Sequence, residues 1–280
     1  MIKLDNARML MLFAKTDENH YFYDCHDITM AGKDGYKIKE IAYFVKDESD
    51  PLADYACFKT YYDDSVVVYL YAKDETFVGE IAAFLLDYPA TEIDLSTPYA
   101  QNYELSCIKD RFTFCASENG APTYALCDAE ALPPFVPLQN VTVSLSTDSD
   151  KAQALADPTW LDALEEDLRT PDLFDACPCF SDTRFYLLKE GDKIIGFLRA
   201  ECGYRNFYDV GWVYVAPSYR GNGYGKLLTL YFAHDCLQNG LYPHYGYAIS
   251  KESAAVARRC GFACTHPSRT FKKLERKIPL

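Results

Sequence analysis

The chain has 280 residues, which is long for one compact domain and comfortable for two. Hydrophobic residues make up 49% and charged residues 25%, a globular composition that does not indicate disorder. No window approaches the roughly 18 consecutive apolar residues of a membrane-spanning helix, and the segment Met1 to Asp5 lacks the basic and then apolar run of a signal peptide. We therefore expect a cytoplasmic protein with no membrane partner.

The net charge of −13 is unevenly distributed along the chain. Residues 1–150 contain 11 basic and 26 acidic side chains, whereas residues 183–280 contain 15 basic and 7 acidic ones. A basic segment attracts an anionic ligand over a long range, and the acidic half argues against nucleic acid as a partner. The acidic half either keeps the protein in solution or forms one wall of a pocket for a cationic molecule, and the sequence leaves both open.

The first half of the chain predicts an α/β domain of unknown function. Residues 64–71 form a β-branched strand pattern, residues 76–86 a helical pattern and residues 92–95 a short strand. The segment 132–137 contains three prolines in six residues and is typical of a linker, so we expect domains at 1–139 and 140–280. The first domain has no R-x-x-G-x-G segment, but its pattern leaves open a degenerate copy of the second.

The second domain predicts a mixed α/β arrangement in which strands and helices follow each other closely. Turn residues such as Gly191 and Asp192, the breaker Pro217 and the helix stop at Asn239 and Gly240 mark the boundaries. The predicted helices are 151–169, a helix from the glycine loop to 239, and 254–260; the predicted strands are 183–190, 193–204, 207–216, 242–249 and 271–277.

Three glycines, at 221, 223 and 225, lie between a predicted strand and a predicted helix. Such a loop turns its backbone N–H groups towards one point beside the positive end of the helix, and this arrangement binds phosphate. The loop is not a Walker loop, because Lys226 is followed by Leu227 rather than by Ser or Thr. The G-x-G-x-x-G dinucleotide spacing is not met either.

The run from Val215 to Gly225 fits V-x-P-x-Y-R-G-x-G-x-G and resembles the signature of the GNAT N-acetyltransferase superfamily. The similarity covers about residues 150–280. It implies the GNAT acyl-CoA-binding fold, an α+β fold whose mixed central sheet is flanked by helices, with acetyl-CoA as co-substrate. The resemblance assigns these residues to CoA binding, on the glycine loop and on a fourth strand that splays from the fifth: Val213, Tyr214, Val215, Arg220, Gly221, Asn222, Gly223, Tyr224, Gly225, Lys226 and Ser253.

Transfer to an amine needs a group that takes a proton from the ammonium form of the substrate. Many relatives place a carboxylate on the fourth strand six residues before the valine of V-x-P, and that position is Asp209 here. Its side chain is one methylene shorter than the usual Glu. Glu201 on the preceding strand and His244 on the fifth strand are alternative bases, and an Asp at a strand start can also serve only to accept backbone hydrogen bonds.

The usual acid of the family, a tyrosine four residues before the glycine of Gly261-Phe262, is replaced by Ala257. Tyr245, Tyr247 and Ser253 lie near in sequence and are candidates for the group that protonates the departing thiolate. An unassisted thiolate is also chemically tolerable, since a thiol pKa of about 8.5 makes it a fair leaving group.

The sequence thus predicts an acetyl-CoA-dependent N-acetyltransferase that acts by direct transfer on a small, cationic amine. A protein or peptide acetyltransferase and a CoA-binding module without chemistry stay open, as does a homodimer. No metal is expected, because Cys177 and Cys179 have no second ligand pair close by. The eleven cysteines are expected to be free thiols.

Overall fold

The computed structural model describes residues 1–18, 20–88, 93–97, 112–114, 123–156, 180–246, 248, 250–266 and 269–273. The chain divides into two compact units, one within 1–122 and 265–280 and the other within 123–264.

The first unit is an α+β structure built on one seven-stranded sheet. Its strands are β1 (Ile2–Leu4), β2 (Ile38–Val45), β3 (Tyr55–Tyr61), β4 (Val66–Tyr71), β5 (Ile93–Thr97), β6 (Phe112–Phe114) and β14 (Arg269–Lys273); its helices are α1 (Asn6–Asp17), α2 (Phe22–Met30) and α3 (Glu75–Asp87). The strand order is β1-β2-β3-β4-β5-β14-β6, and β4 runs parallel to β5. Helix α3 packs its apolar face on this sheet through Phe77 and Ile81 against Phe58 and Val68.

The second unit has the same kind of architecture. Its strands are β7 (Thr123–Ala125), β8 (Thr142–Leu145), β9 (Asp182–Glu190), β10 (Lys193–Tyr204), β11 (Phe207–Val215), β12 (Tyr242–Tyr245) and β13 (Ala263–His266); its helices are α4 (Asp148–Ala156), α5 (Tyr224–Gln238) and α6 (Lys251–Arg259). The strand order is β13-β7-β12-β11-β10-β9-β8. The sheet is mixed, because β11 is parallel to β12 but antiparallel to β10. This confirms the predicted fold class.

The two strand orders match position by position when one of them is reversed. In each unit a helix connects two parallel neighbours, β4-α3-β5 in the first and β11-α5-β12 in the second. The strand beyond this pair is β14 in the first sheet and β7 in the second. The first unit therefore repeats the topology of the second. This agrees with the possibility that the first domain is a degenerate copy of the second.

The structure changes the predicted domain limits of 1–139 and 140–280. Strand β7 pairs with β12, which places residues 123–139 in the second unit. The predicted final strand, 271–277, overlaps β14 at residues 271–273, and residues 274–277 lie outside the described residues. Strand β14 pairs with β5 and β6 of the first unit. Long-range strand pairing decides both points, whereas the proline-rich segment had suggested a boundary from local composition alone.

The local predictions in the second unit hold for the hairpin β9–β10, for β11 and for α5. Strand β12 ends at Tyr245 rather than at 249, and α6 begins at Lys251 rather than at 254. The earlier start follows from its cap, because the Ser250 hydroxyl accepts the Ser253 N–H at 3.0 Å. Of the predicted helix 151–169, only the part up to Ala156 lies in the described residues.

Candidate active site

The parallel strands β11 and β12 separate partway along β11, and we call the point where their pairing ends the fork. Their register runs from Phe207 opposite Tyr242 to Val210 opposite Tyr245. Strand β11 continues for five more residues, Gly211 to Val215, beyond that last pair. A groove of about 580 Å³ opens there, lined by β11, by Tyr245 and by the start of α6. Because strand pairing stops, backbone polar groups of β11 on this side are available to an extended ligand.

A bulge in β11 lies at the same place. Arg199 is opposite Trp212 and Ala200 is opposite Val210, so Gly211 is an extra residue in β11. A Cβ atom on Gly211 would lie 3.3 Å from the Glu201 Oε2 atom, so the absent side chain leaves space for that carboxylate. Side chains along a strand point alternately to its two faces, and the extra residue at Gly211 reverses this order for the rest of β11. Trp212 therefore lies on the same face of the sheet as Arg199.

The glycine loop connects the groove to the start of helix α5. Gly221 and Gly223 have φ angles of 86° and 80°, a left-handed region that glycine adopts without strain. Gly223 is the N-cap residue of α5 and has no side chain with which to cap it, so the first-turn N–H groups are left for solvent or an anionic ligand. The Arg220 Nε atom donates to the Val215 carbonyl at 2.9 Å, which holds the loop against the end of β11.

The structure brings the predicted CoA-binding residues together around this groove and loop. The groove lining includes Val213, Tyr214, Val215, Arg220, Gly225 and Ser253. The adjoining loop and first turn of α5 contain Gly221, Asn222, Gly223, Tyr224 and Lys226. Tyr214 contributes backbone rather than side chain, because its ring is buried on the other face of the sheet and stacks on Phe197 at 5.7 Å.

The three predicted bases lie in one row across neighbouring strands. Glu201 on β10 is opposite Asp209 on β11, and Asp209 is opposite His244 on β12. Directly opposed residues point to the same face with Cβ atoms about 5 Å apart. The sequence could not show this row, since it depends on the register of three strands.

Two observations distinguish the two carboxylates. Glu201 forms an ion pair with Arg199 at 2.6 Å, and both side chains are 15% exposed, so the guanidinium compensates the charge of Glu201. Asp209 lies at the fork, where its two carboxylate oxygens are 3.0 and 3.1 Å from the position that a Cβ atom of Gly246 would take. The two carboxylates therefore differ in the ion pair that Glu201 makes and in the glycine that each one borders, Gly211 for Glu201 and Gly246 for Asp209.

Tyr245 points to the opposite face of β12, towards α6. Its hydroxyl lies 2.9 Å from the Ser253 Oγ atom. Burial raises the pKa of Tyr245 to about 12, against the lowering effect of its hydrogen bond with Ser253, so the phenol is protonated at neutral pH. The side chain at Ala257 is fully buried and carries no acid, and Tyr247 lies outside the described residues.

Sequence reasoning missed Arg199 and Trp212. Arg199 could have been found, because it lies two residues before Glu201 on the same strand and therefore on the same face. For Trp212 the signal was Gly211, since a glycine inside a strand often marks a bulge.

In the first unit, carboxylates occupy the position that corresponds to the glycine loop. Only Ala72, Lys73 and Asp74 connect β4 to α3. Asp54 Oδ1 accepts the N–H groups of Lys73 at 2.6 Å and of Asp74 at 3.0 Å, and Asp74 Oδ1 accepts the Phe77 N–H at 2.9 Å. The donors that could hold a phosphate at the start of this helix are thus bound to the protein's own carboxylates.

Comparison with known proteins agrees with the site in the second unit. A family model described as acetyltransferase (GNAT) family matches residues 151–262. The whole-chain fold is similar to three solved structures: a GCN5-related N-acetyltransferase from Sphaerobacter thermophilus (14% identity, 86% of this chain and 83% of that chain, TM-score 0.52), a Drosophila protein (13%, 98% and 97%, 0.53) and a tandem GNAT protein from the clavulanic acid biosynthesis pathway (10%, 100% and 99%, 0.52). No curated protein matches the chain.

Residues 151–262 therefore form an acetyltransferase domain of the GNAT family, which confirms the resemblance drawn from the glycine motif. Membership implies acyl-CoA-dependent acetyl transfer, with acetyl-CoA as the co-substrate of the family.

Among the described residues, no three His, Cys, Asp or Glu side chains cluster closely enough to hold a metal ion. Cys177 and Cys179 lie outside them. The cysteines within the described residues are free thiols. No helix in that part of the chain has the length and apolar character required to cross a membrane.

Proposed function

We propose that the protein transfers an acetyl group from acetyl-CoA directly to the amine of a small, cationic molecule. The main support is the fork between β11 and β12. Beyond the fork, the edge of β11 that no longer pairs with β12 runs from Gly211 to Val215 and is followed by the glycine loop and the start of α5. An extended pantetheine chain can pair with the open edge of a strand, and a diphosphate fits the N-terminus of a helix. The groove lining runs from Val210 to Arg220 and Gly225, which supports one extended ligand that reaches both sites.

In this mechanism Asp209 takes the proton from the substrate ammonium. The freed nitrogen lone pair attacks the carbonyl carbon of the thioester and forms the new N–C bond. The nitrogen of this adduct then gives up its second proton to water, and the C–S bond breaks. The departing thiolate of CoA then takes a proton, for which the Tyr245 hydroxyl, paired with Ser253, is the donor that the geometry favours. Direct transfer needs no covalent intermediate on the protein.

The preference for a cation follows from the charges on the base side of the sheet. The row holds the carboxylates of Glu201 and Asp209, and Arg199 forms an ion pair with Glu201. A negative site raises the local concentration of an ammonium substrate.

A second candidate is a CoA-binding module that has lost its chemistry, which Ala257 favours because relatives carry a tyrosine acid there. The two functions differ in turnover but not in CoA binding. We would therefore measure the heat of CoA binding by calorimetry and thiol release from acetyl-CoA with a panel of small amines and short peptides. CoA binding without turnover of any acceptor would support the module, and no binding at all would refute both.

Asp209→Asn tests the base. The pH-rate profile of this variant is expected to lose its rise with pH, while CoA binding is retained. Asp192→Asn is a matched control, because Asp192 lies in the exposed β9–β10 turn. A profile of Asp209→Asn that is the same as that of the parent would remove Asp209 from the mechanism.

A further inference from the structure

Trp212 is a large apolar side chain two residues beyond Val210, the last β11 residue that pairs with β12, and it is 39% exposed. It follows the bulge residue Gly211 on β11 and lines the same groove. An indole is among the most costly side chains to leave in water, and exposed aromatic side chains within a concave site commonly mark a contact for a ligand.

The direction of the indole follows from the register. Trp212 is opposite Arg199, and Arg199 and Glu201 are two residues apart on β10, so all three point to one face of the sheet. Glu201 is opposite Asp209, which places Trp212 on the face of the proposed base. The next residue, Val213, points to the other face. Trp212 is thus attached to the part of β11 that would hold the thioester, but it faces the side from which an acceptor would approach.

The surroundings of Trp212 indicate what it would contact. Arg199 already pairs with Glu201 at 2.6 Å and lies over the Phe185 ring at 5.7 Å, so this cation is occupied by neighbours within the sheet. The exposed indole offers an apolar ring, and Asp209 in the adjacent row offers a carboxylate. An ammonium group with an apolar substituent next to it would satisfy both groups at once.

We propose that Trp212 is the specificity residue of the acceptor site and that it selects primary amines bearing an aryl or long alkyl group close to the nitrogen. This inference rests on the proposed function, since it assigns the acceptor to the base side of β11. It goes beyond that function by naming the substrate class: hydrophobic amines over hydrophilic polyamines or amino sugars.

The kinetic test compares two amines that share an ammonium group and differ in a phenyl ring, 2-phenylethylamine and ethylamine. The parent is expected to prefer 2-phenylethylamine in kcat/KM. Trp212→Ala should lower kcat/KM for 2-phenylethylamine roughly 10- to 100-fold and that for ethylamine less than about 3-fold. Trp212→Phe should restore most of the preference, because it keeps an aromatic face. Val136→Ala, at another exposed apolar side chain of the same unit, is the control and should change neither value.

A second measurement does not depend on turnover. The chain has two tryptophans, so Trp160→Phe leaves Trp212 as the sole indole. Saturating 2-phenylethylamine, with CoA present, is expected to protect Trp212 fluorescence from quenching by acrylamide, while ethylamine and spermidine should protect it much less. Protection by 2-phenylethylamine without turnover would support the Trp212 site and count against the proposed transfer.

Turnover with an unchanged amine preference in Trp212→Ala, or equal protection by all three amines, would overturn the role of Trp212 and leave the transferase proposal standing.

Discussion

Gly246 lies at the fork and leaves no room for a side chain. A Cβ atom there would lie 2.8 Å from the Val210 carbonyl oxygen and 3.0 and 3.1 Å from the two carboxylate oxygens of Asp209. Cβ atoms essentially never lie within 3.0 Å of a carbonyl oxygen, and contacts of 3.0 to 3.1 Å are unusually tight, so Gly246→Ala must displace the backbone of β11, the carboxylate of Asp209, or both. The variant therefore tests whether the position of Asp209 matters for transfer.

The size of the effect follows from the overlap. Relieving these contacts needs a shift of several tenths of an ångström, and overpacking of this kind costs about 1–3 kcal/mol. A misplacement of about 1 Å in a reacting group can cost roughly 100-fold in rate. We expect Gly246→Ala to lower kcat for acetyl transfer about 10- to 100-fold. The affinity for CoA should change much less, because the glycine loop at Gly221 to Gly225 is untouched.

The assay is steady-state transfer over a range of pH, with CoA affinity measured by calorimetry and folding by thermal unfolding. Gly79→Ala is the control, since no heavy atom lies within 4 Å of its Cβ position. It lies inside α3 and should raise stability by about 0.5–1 kcal/mol without changing kcat. If Gly246→Ala lowers kcat by displacing Asp209, it should lower kcat little further in a protein that already carries Asp209→Asn. An unchanged kcat, or the same fold loss in the Asp209→Asn background, would refute the reasoning.

Three further predictions concern both units. Burial raises the pKa of Asp24 to about 6 against the lowering effect of Lys59. Between pH 4 and 6 the folded protein therefore keeps a proton that the unfolded chain has lost, and the free energy of unfolding falls by about 3 kcal/mol over that range. In urea unfolding, Asp24→Asn should become more stable relative to the parent as the pH rises from 4 to 6, and a constant difference would contradict this. Calorimetry should give one CoA bound per chain. Gly223→Val should abolish this binding, because a β-branched residue is strained at the φ of 80° that Gly223 adopts. Residual CoA binding by the variant would point to a second site. A chain that ends at residue 266 lacks β14, the strand between β5 and β6. The first unit of this variant should unfold at a lower temperature, while the second unit should still bind CoA. An unchanged melting profile would contradict the pairing of β14 with β5 and β6.

The local elements of the second unit were predictable because their signals lie within short stretches of sequence. The β9–β10 turn, the glycines of the loop and the stop at Asn239 and Gly240 are each set by backbone preferences of a few neighbouring residues. The same locality explains the error at the domain boundary. Prolines at 133, 134 and 137 do limit regular structure, but they carry no information about which sheet the flanking strands join.

The site could be predicted only as a set of residues. The family motif gave the glycine loop and Asp209 by spacing along the chain, whereas the row of Glu201, Asp209 and His244 comes from the register of three strands. The bulge at Gly211 shifts every later side chain of β11 to the other face, and it turned Trp212 towards the base side.

The sequence by itself determined the glycine loop, the strand and helix that flank it, and hence the class of ligand, because φ preferences and hydrophobic periodicity act over a few residues. Only the tertiary structure decided that β11 separates from β12 after Val210, that β7 and β14 complete the two sheets, and that carboxylates close the start of α3. These features depend on contacts between residues far apart in the chain, and those contacts are fixed by packing rather than by local preference.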